Sequence, residues 1–325
     1  MTNRTLTIVL CQTRESFFTF SSLNQKVLKP LKSDLAFCGS TPDINDQILK
    51  YSRYIWDHVE PNDWASAFDQ ITTVGSDWRE LADFGNLFLG GSGYRGSKGS
   101  GLIVMYWRQI LKMSLTEEVL SKYDWFVITR SDFQWVTSHP NIEQLNPEKI
   151  YFLNGEKYGG VSDRHIIFNK KFQKQIFSIA SPIFENTEAL RYFLAQNKVE
   201  DLNPEKFIDT MLNWCNLRNH IFFLPYLGYT IRHQQTRTRW SSGTYNKKFG
   251  FYIKYPNEFR DSYRSRFYLK NTQDWDKYFK NKWTIRKYFI KSIEFFSERQ
   301  LPFKYVTSRC INLLDKVLQN TSSID

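Results

Sequence analysis

Apolar and polar segments alternate at the start of the chain in a way that predicts a strand, a helix and a second strand. The apolar run Thr5–Leu10 predicts the first strand. A helix over residues 17–28 follows and ends before Pro30, because the position before a proline disfavours helical backbone angles. Residues 34–38 predict a second short strand, which Gly39 closes. A strand–helix–strand unit of this length is typical of a parallel α/β sheet.

A later segment combines a buried strand with charged residues at its end. Large and β-branched residues at 125–128 predict a strand that is buried on both faces, and Arg130, Ser131 and Asp132 follow it. Ligands of open α/β sheets bind beyond the carboxyl ends of the strands, so we expect Arg130 and Asp132 beside the turns that end the first two strands. A cation and an anion there suit a phosphate or a phosphate-bound metal. A structural Arg–Asp pair that closes a surface turn is the alternative.

The remaining segments continue the α/β pattern. Strands are predicted at 150–153 and 166–168, on either side of a polar loop, and residues 41–85 are expected to be irregular and helical. A glycine-rich segment, residues 90–101, leads into a strong helix. Further helices are predicted at about 171–180, 187–196 and 204–216, and further strands at 221–224 and 229–232. The predicted fold class is α/β with a Rossmann-like, mainly parallel sheet.

Charge adds an expectation about the partner. The chain has 325 residues and a formal net charge of +11, and residues 251–325 contribute 15 Lys+Arg against 8 Asp+Glu. Such an excess favours nucleic acid, an anionic membrane face or phosphorylated substrates. No segment approaches the roughly 18 apolar residues of a membrane-spanning helix. The four cysteines have no paired spacing, which favours reduced thiols in a cytoplasm.

Three segments together resemble one enzyme family. They are Gly-Ser-Gly-Leu-Ile at 99–103, Lys-Tyr-Asp-Trp-Phe-Val-Ile-Thr-Arg-Ser-Asp at 122–132 and Tyr-Gly-Gly-Val-Ser-Asp-Arg-His at 158–165. They are similar to segments of GT-A-like nucleotide-sugar glycosyltransferases from surface-polysaccharide and lipopolysaccharide gene clusters and from some large viruses. Thr-Arg-Trp at 238–240 resembles a late segment of the same group. The resemblance implies a GT-A-like domain over residues 1–250, followed by a basic, aromatic-rich helical extension over 251–325.

The resemblance implies the transfer of a sugar from a UDP-, GDP- or dTDP-sugar to a glycan or lipid-linked acceptor. The usual metal motif of this family has two acidic residues around one spacer, and Arg130 occupies the first acidic position here. Asp132 is therefore the expected protein ligand of a Mn²⁺ or Mg²⁺ ion that the diphosphate carries. A turn-capping aspartate is the structural alternative for Asp132.

The donor is expected to lie against several turns. Arg237 and Arg239 would close over the leaving diphosphate, where negative charge develops, and Trp240 would pack beside the sugar or base. A solvated basic loop is the alternative for these three residues, and a plain helix cap is the alternative for Ser100. The full set of expected donor-binding residues is Cys11, Gln12, Thr13, Arg14, Gly39, Ser100, Gly101, Arg130, Ser131, Asp132, Arg164, Arg237, Arg239 and Trp240.

An inverting transfer also needs a carboxylate that removes the proton of the acceptor hydroxyl. Asp163 is the candidate, with Glu156 and Glu205 behind it, and Asp132 is counted among the catalytic residues through its contact with the donor. His165 is an alternative base, although a histidine beside a strand is more commonly a hydrogen-bonded structural residue.

The C-terminal segment and two rival functions complete the expectations. Basic residues flank aromatic ones over 280–296, which suits contact with an anionic inner membrane leaflet, whereas a docked terminal helix is the alternative. Nucleic-acid binding is suggested by charge, but no recognition motif accompanies it, so no nucleic-acid partner is expected. A sulfo- or phosphotransferase should have a glycine-containing phosphate loop after the first strand, and residues 11–16 lack glycine.

Overall fold

The computed structural model describes residues 4–41, 46–81, 100–234, 243–271 and 273–281, with only the backbone of Ser100. The chain divides into two compact units, Met1–Lys270 and Asn271–Asp325. In the described part of the second unit, residues 273–281 form a helix. No helix in the described ranges is long and apolar enough to cross a membrane.

The described residues of the first unit contain two sheets. Their strands are β1 (Thr5–Gln12), β2 (Ser33–Ser40), β3 (Ser52–Asp57), β4 (Trp125–Thr129), β5 (Phe133–Trp135), β6 (Ile150–Leu153), β7 (His165–Asn169), β8 (Ile221–Leu224), β9 (Gly228–Arg232), β10 (Thr244–Asn246) and β11 (Phe251–Ile253). The larger sheet has the order β3-β2-β1-β4-β7-β6-β8. Only β7 runs antiparallel to its neighbours, and the other pairs of this sheet are parallel. The predicted α/β class with a mainly parallel, Rossmann-like sheet is therefore confirmed.

Helices pack against the two sheets through apolar faces. Those described are α1 (Ser16–Leu23), α2 (Gln47–Tyr51), α3 (Trp64–Ile71), α4 (Ser100–Ser114), α5 (Glu117–Ser121), α6 (Gln173–Phe177), α7 (Ser181–Glu185), α8 (Thr187–Gln196), α9 (Pro204–Trp214) and α10 (Pro256–Tyr268). The centre of the core is β4, which is buried at all five positions, as its sequence predicts. Phe126 of β4 packs against Phe168 and Phe177, so the strand and helix apolar residues form one cluster.

The second sheet is small and antiparallel, with the order β10-β11-β9-β5. The sequence predicted β9 but missed β5, β10 and β11, because strands of three residues are too short to show a period of two. The helix α10 follows β11 and packs against β9. The predicted domain boundary at residue 250 stays a prediction, and β11 and α10, which follow that residue, lie within the first unit.

Two local expectations hold only in part, since residues 41–85 contain α2 and α3 but also a strand. Residues 41–85 were expected to be irregular and helical, but β3 forms an edge strand there, and exposed positions alternate along it with half-buried ones. The sequence did not reveal this period of two, because an edge strand can carry polar side chains on the face that solvent covers and so lacks a continuous apolar run. The helix predicted over 17–28 is also not uniform, since α1 ends at Leu23 and a π-helical turn over Asn24–Leu28 continues it.

Two buried histidines join β4 and β7 to the loop after β5. His165 Nε2 lies 2.9 Å from His139 Nε2, and His139 Nδ1 lies 2.9 Å from the carbonyl oxygen of Lys26. Because a carbonyl only accepts, His139 Nδ1 donates there, and its Nε2 accepts a hydrogen bond from His165 Nε2. The Thr129 hydroxyl then donates to His165 Nδ1 over 3.1 Å. These bonds make His165 a structural residue and explain why it is not available as a base.

This histidine pair predicts acid-sensitive stability. Burial lowers the pKa of His139 to about 4 and holds the pKa of His165 well below its ordinary value. Both are neutral in the folded protein, whereas the unfolded chain binds protons below about pH 6.5. We expect full stability above that pH and a loss as the pH falls towards about 4, of about 3 kcal/mol for His139.

Urea unfolding at a series of pH values measures this dependence. In a His139→Gln variant the slope of the free energy of unfolding against pH between about 6.5 and 4 should be smaller than in the wild type. His220→Gln, which changes a histidine outside the pair, is the control and should keep the wild-type slope. An unchanged slope in His139→Gln would contradict the assignment.

Candidate functional site

The turns that follow β1 and β4 lie side by side at one edge of the larger sheet. The chain runs from β1 outward to β2 and β3 and then returns to β4 on the other side of β1, so the strand order reverses between β1 and β4. Ligands of open α/β sheets bind at such a reversal. The Ser131 hydroxyl donates to the carbonyl oxygen of Gln12 over 2.6 Å, and the Thr19 hydroxyl of α1 donates to the carbonyl oxygen of Ser131 over 2.5 Å. These bonds fix the expected juxtaposition of the two turns.

A buried carboxylate at this edge binds three arginines. Arg130 donates from Nε to Asp132 Oδ1 over 2.9 Å and from Nη2 to Oδ2 over 2.7 Å. Arg232, the last residue of β9, donates to the same Oδ2, and Nη2 of Arg14 lies 3.2 Å from it. Burial alone would raise the pKa of Asp132, but the three guanidinium groups hold it well below its ordinary value. Asp132 is therefore ionised, and this arginine cluster (Arg14, Arg130, Arg232 and Asp132) is positive overall.

The surroundings of Asp132 do not fit a divalent cation. Both of its carboxylate oxygens are bonded to guanidinium groups, so a Mn²⁺ or Mg²⁺ ion would displace at least one of them and stand beside the remaining positive charges. Within the described ranges, no three His, Cys, Asp or Glu side chains come together as a metal site. The metal-ligand role of Asp132 stays a prediction without a supporting contact there.

A cavity of about 260 Å³ opens beside Arg130. Its wall combines cations and carboxyl groups, since Arg130 and Arg164 share it with Asp163 and Glu205, and Lys254 completes it. The rings of Tyr158 and Tyr255 and the side chain of Val104 in α4 supply the less polar part of the lining. The fold therefore brings four of the candidate residues, Arg130, Asp163, Arg164 and Glu205, to one cavity next to the arginine cluster, and their roles there stay predictions.

Arg164 is held in the cavity wall by α10. Its Nη1 donates to the hydroxyl of Tyr226 over 2.8 Å and to Oε1 of Glu258, while the other oxygen of Glu258 accepts the Thr230 amide over 3.0 Å. Arg164 and Glu258 are 4% and 1% exposed, so the pair is buried as a unit. A direct contact of Arg164 with the donor stays a prediction, and its observed partners fix it in place.

The two carboxyl groups of the cavity differ in environment. Glu205 lies in the first turn of α9, which Asn203 caps. Burial, together with the negative charge of Asp163, raises the pKa of Glu205 to about 8, so Glu205 is protonated at neutral pH. The loop that carries Asp163 passes close to α9 at Gly160, where a Cβ atom would lie 2.1 Å from the carbonyl oxygen of Glu205. Glycine is needed there for this close approach.

The turn after β1 has an unusual backbone. Cys11 has a φ of 88°, in the left-handed region that favours glycine, and its carbonyl oxygen would lie 1.9 Å from a Cβ atom on Gly39. The glycine at position 39 is thus explained by its approach to Cys11, whereas donor contacts of both residues stay predictions. The side-chain amide of Gln12 donates to Glu60, and Thr13 is buried.

The remaining expected residues are less informative. Glu156 is half-buried in the loop after β6 and is not part of the cavity lining. Ser100 is the first residue of α4, as expected for a helix start, and Gly101 is buried. Arg237, Arg239 and Trp240 lie outside the described residues.

Four charged residues near the site were missed by sequence reasoning. They are Arg108, Arg232, Lys254 and Glu258. Arg108 of α4 reaches the carbonyl oxygen of Asp163 over 3.4 Å, and its buried Nε and Nη1 find no hydrogen-bond partner among the described residues. Arg232 ends a strand that the sequence does predict, so its position at the sheet edge was a usable signal. Lys254 directly follows the three-residue strand β11, which is too short to be recognised, and Glu258 lies in α10, in a segment that was expected to form a separate helical extension.

Comparison with known proteins gives limited information. No family model matches the chain, and no curated protein matches it. Among solved structures, the chain is similar to mouse xyloside xylosyltransferase 1 in its apo form, with 11% identity and a TM-score of 0.40. The match covers 68% of this chain and 84% of that one. A TM-score of 0.40 is too low for the activity of that enzyme to be transferred to this protein.

Proposed function

We propose that the protein is a glycosyltransferase that moves a sugar from a nucleotide-sugar donor to a glycan or lipid-linked glycan acceptor, in the synthesis of a surface polysaccharide, a lipopolysaccharide or a viral glycan. The observation that carries this proposal is the positive arginine cluster at the reversal between β1 and β4, next to a cavity with two carboxyl groups. Such an edge suits a diphosphate, and the cavity suits a hydroxyl-rich sugar. The family resemblance of residues 99–103, 122–132 and 158–165 agrees with it.

The donor diphosphate is assigned to the cationic side of the cavity. When the bond between the anomeric carbon and the diphosphate oxygen breaks, the electron pair goes to that oxygen, and fixed cations stabilise the developing charge. Arg14 and Arg130 are suited to this role because their side chains are 46% and 22% exposed, whereas Arg232 is 8% exposed and holds Asp132. The nucleoside is assigned to the turn of Cys11–Arg14 and to Gly39, with Ser131, Ser100, Gly101, Arg237, Arg239 and Trp240 as further donor contacts.

The acceptor side of the cavity is assigned to the carboxyl pair. Asp163 is the proposed base for the acceptor hydroxyl, because Glu205, with its raised pKa of about 8, already carries a proton at neutral pH. The protonated Glu205 can donate a hydrogen bond to a sugar oxygen. Glu156 remains the second candidate base, and this role requires the loop after β6 to contact the acceptor. A cytoplasmic location with peripheral membrane contact through residues 251–325 would bring the site to lipid-linked acceptors.

Thermal unfolding with a panel of UDP-, GDP- and dTDP-sugars tests the proposal. One donor at about 100 times its Kd should stabilise the fold by about 2.7 kcal/mol and raise Tm by about 5–10 °C. Because Asp132 is engaged by arginines, we expect the same increase with Mn²⁺ and with EDTA. The free sugar is the control and should leave Tm unchanged. No response to any donor, together with a salt-sensitive response to DNA or RNA, would instead favour the nucleic-acid rival.

A further inference from the structure

Lys254 lies where the small sheet, the arginine cluster and the cavity meet. It follows β11 directly, and its backbone amide donates to the carbonyl oxygen of Thr230 in β9 over 3.0 Å, which fixes the start of its side chain. Its Nζ lies 5.0 Å from the centroid of the Tyr255 ring, and Cζ of Arg164 lies 4.9 Å from the same centroid. An aromatic face attracts cations, so Tyr255 holds both groups at the cavity wall.

The electrostatic surroundings of Lys254 are dominated by cations. By element, the charged and titratable groups around it are Arg130 and Asp132 after β4, Arg232 in β9, Asp163 and Arg164 before β7, Tyr158 in the same loop, Glu205 and Lys206 in α9, Tyr255 beside it and Glu258 in α10. Burial and the positive charges of Arg130 and Arg232, against the opposing effect of Asp132, lower the pKa of Lys254 to about 7. An anion placed between these groups would remove the repulsion.

We infer that Lys254 and Arg130 form a phosphate subsite that binds the donor diphosphate by charge-assisted hydrogen bonds, without a bridging metal ion. The inference rests on the proposed function, because it takes the diphosphate of a nucleotide sugar as the ligand. Three geometric observations support it. Lys254 and Arg130 share one cavity wall, Arg130 is fixed by its two bonds to Asp132, and the carboxylate that a metal would need is occupied by guanidinium groups.

Proton uptake follows from this arrangement. Above neutral pH much of Lys254 is the uncharged amine, whereas next to a diphosphate the ammonium form is favoured. Binding should therefore draw protons from the solution at about pH 8, approaching one per site, and less at about pH 6, where the ammonium form is already present. The diphosphate of a nucleotide sugar is a diester without a titrating group in this range, so it adds no proton of its own.

Isothermal titration calorimetry measures the proton uptake, because the binding enthalpy changes with the ionisation enthalpy of the buffer. The ligand is the nucleotide sugar that gives the largest thermal shift. Lys254→Arg keeps a cation that cannot lose its proton, so it should retain affinity within about 3-fold and take up almost one proton fewer per site at about pH 8, and any uptake that remains belongs to Glu205, whose pKa is about 8. Lys254→Met should weaken binding by about 10- to 100-fold. In the wild type, EDTA should change neither the affinity for the nucleotide sugar nor the number of protons taken up.

The matched control is Lys170→Met. Lys170 directly follows β7, and it pairs with Asp124, which directly precedes β4. Because β7 runs antiparallel to β4, the end of β7 lies beside the start of β4. Lys170 is therefore at the opposite edge of the sheet from the cavity. It should bind donor with wild-type affinity and wild-type proton uptake. Proton uptake in Lys254→Arg equal to that of the wild type, unchanged affinity in Lys254→Met, or binding that EDTA abolishes would each overturn the inference.

The experiment separates this inference from the proposed function. If a nucleotide sugar binds without these effects, the phosphate subsite is wrong and the glycosyltransferase proposal stands. If no nucleotide sugar binds, the proposed function fails, and inorganic pyrophosphate becomes the probe of the anion site. Pyrophosphate binding that Lys254→Met abolishes would still support the subsite, whereas equal binding to both proteins, or none to either, would overturn it.

Discussion

Replacing Asp132 with asparagine is expected to lower the free energy of unfolding by about 3–5 kcal/mol, because it leaves the buried Arg232 and the partly buried Arg130 without their counter-charge. Arg130, Arg232 and Arg14 all direct nitrogen atoms at this carboxylate, which is only 1% exposed. The amide of asparagine is neutral, and its NH₂ group would face a donor instead of accepting from it. Urea unfolding at neutral pH measures the loss, and urea is preferred because guanidinium salt would screen the charges.

Glu118→Gln is the matched control for this prediction. Glu118 pairs with Lys122 one turn away on the surface, and its side chain is 80% exposed. Exposed helix pairs contribute about 0.3–0.5 kcal/mol, so this change should be nearly neutral. A loss below about 1 kcal/mol in Asp132→Asn would show that the cluster is not a buried charge network. The donor-induced rise in Tm should also shrink in Asp132→Asn, and a rise equal to that of the wild type would refute a role for Asp132 in donor binding.

The arginine cluster gives Arg130 a physical role that the family pattern alone did not. Where the resembling family has an acidic residue, this chain has a guanidinium group that binds Asp132 through two parallel hydrogen bonds. Planar two-point pairing of this kind fixes both side chains more strongly than a single bond. The structural ion pair is thus observed and holds Arg130 at the cavity wall, and the role of Arg130 in donor binding stays a proposal.

The sequence predicted the larger sheet well because its strands are long or fully apolar. The parallel unit of β1 and β2 and the buried strand β4 follow from such runs. Because ligand-binding turns follow the carboxyl ends of parallel strands, the turns that hold Arg14 and Asp132 were expected at the same edge, where the two side chains do meet. The predicted helices at 187–196 and 204–216 are α8 and α9. These elements carry their own local signals.

The second half of the site could not be predicted in this way. Arg232 binds Asp132 across 100 residues, and Glu258 binds Arg164 across 94. Charged pairs so far apart in sequence have no periodicity, and they become visible only when tertiary packing is known. The sequence does predict β9, which carries Arg232, but the three-residue β11 beside it is too short for a pattern to stand out, and no local signal shows which strand β9 pairs with. The sequence thus located the reversal of strand order between β1 and β4. It did not reveal the side of the cavity that β9, β11 and α10 form.

The second large effect is expected from replacing Glu258, because Glu258 holds Arg164 in the cavity wall. Glu258→Gln should lower the free energy of unfolding by about 3–5 kcal/mol, since it leaves Arg164 charged, buried and without a carboxylate. It should also weaken donor binding, because Arg164 lines the cavity and would turn towards other partners. Asp261→Asn is the control in the same helix, as Asp261 is half exposed and pairs with Arg264 on the surface. That change should cost less than about 1 kcal/mol.

A double variant separates the structural contribution of this pair from its contribution to binding. Arg164→Met with Glu258→Leu removes both charges, and apolar replacement of a buried ion pair is often neutral or stabilising. The double variant should therefore be more stable than either single variant, yet it should bind donor less tightly than the wild type, because the cation at the cavity wall is gone. Urea unfolding and donor titration on the same samples measure both quantities. Stability losses that simply add, with donor affinity unchanged, would mean that Arg164 and Glu258 act independently and that neither serves the cavity.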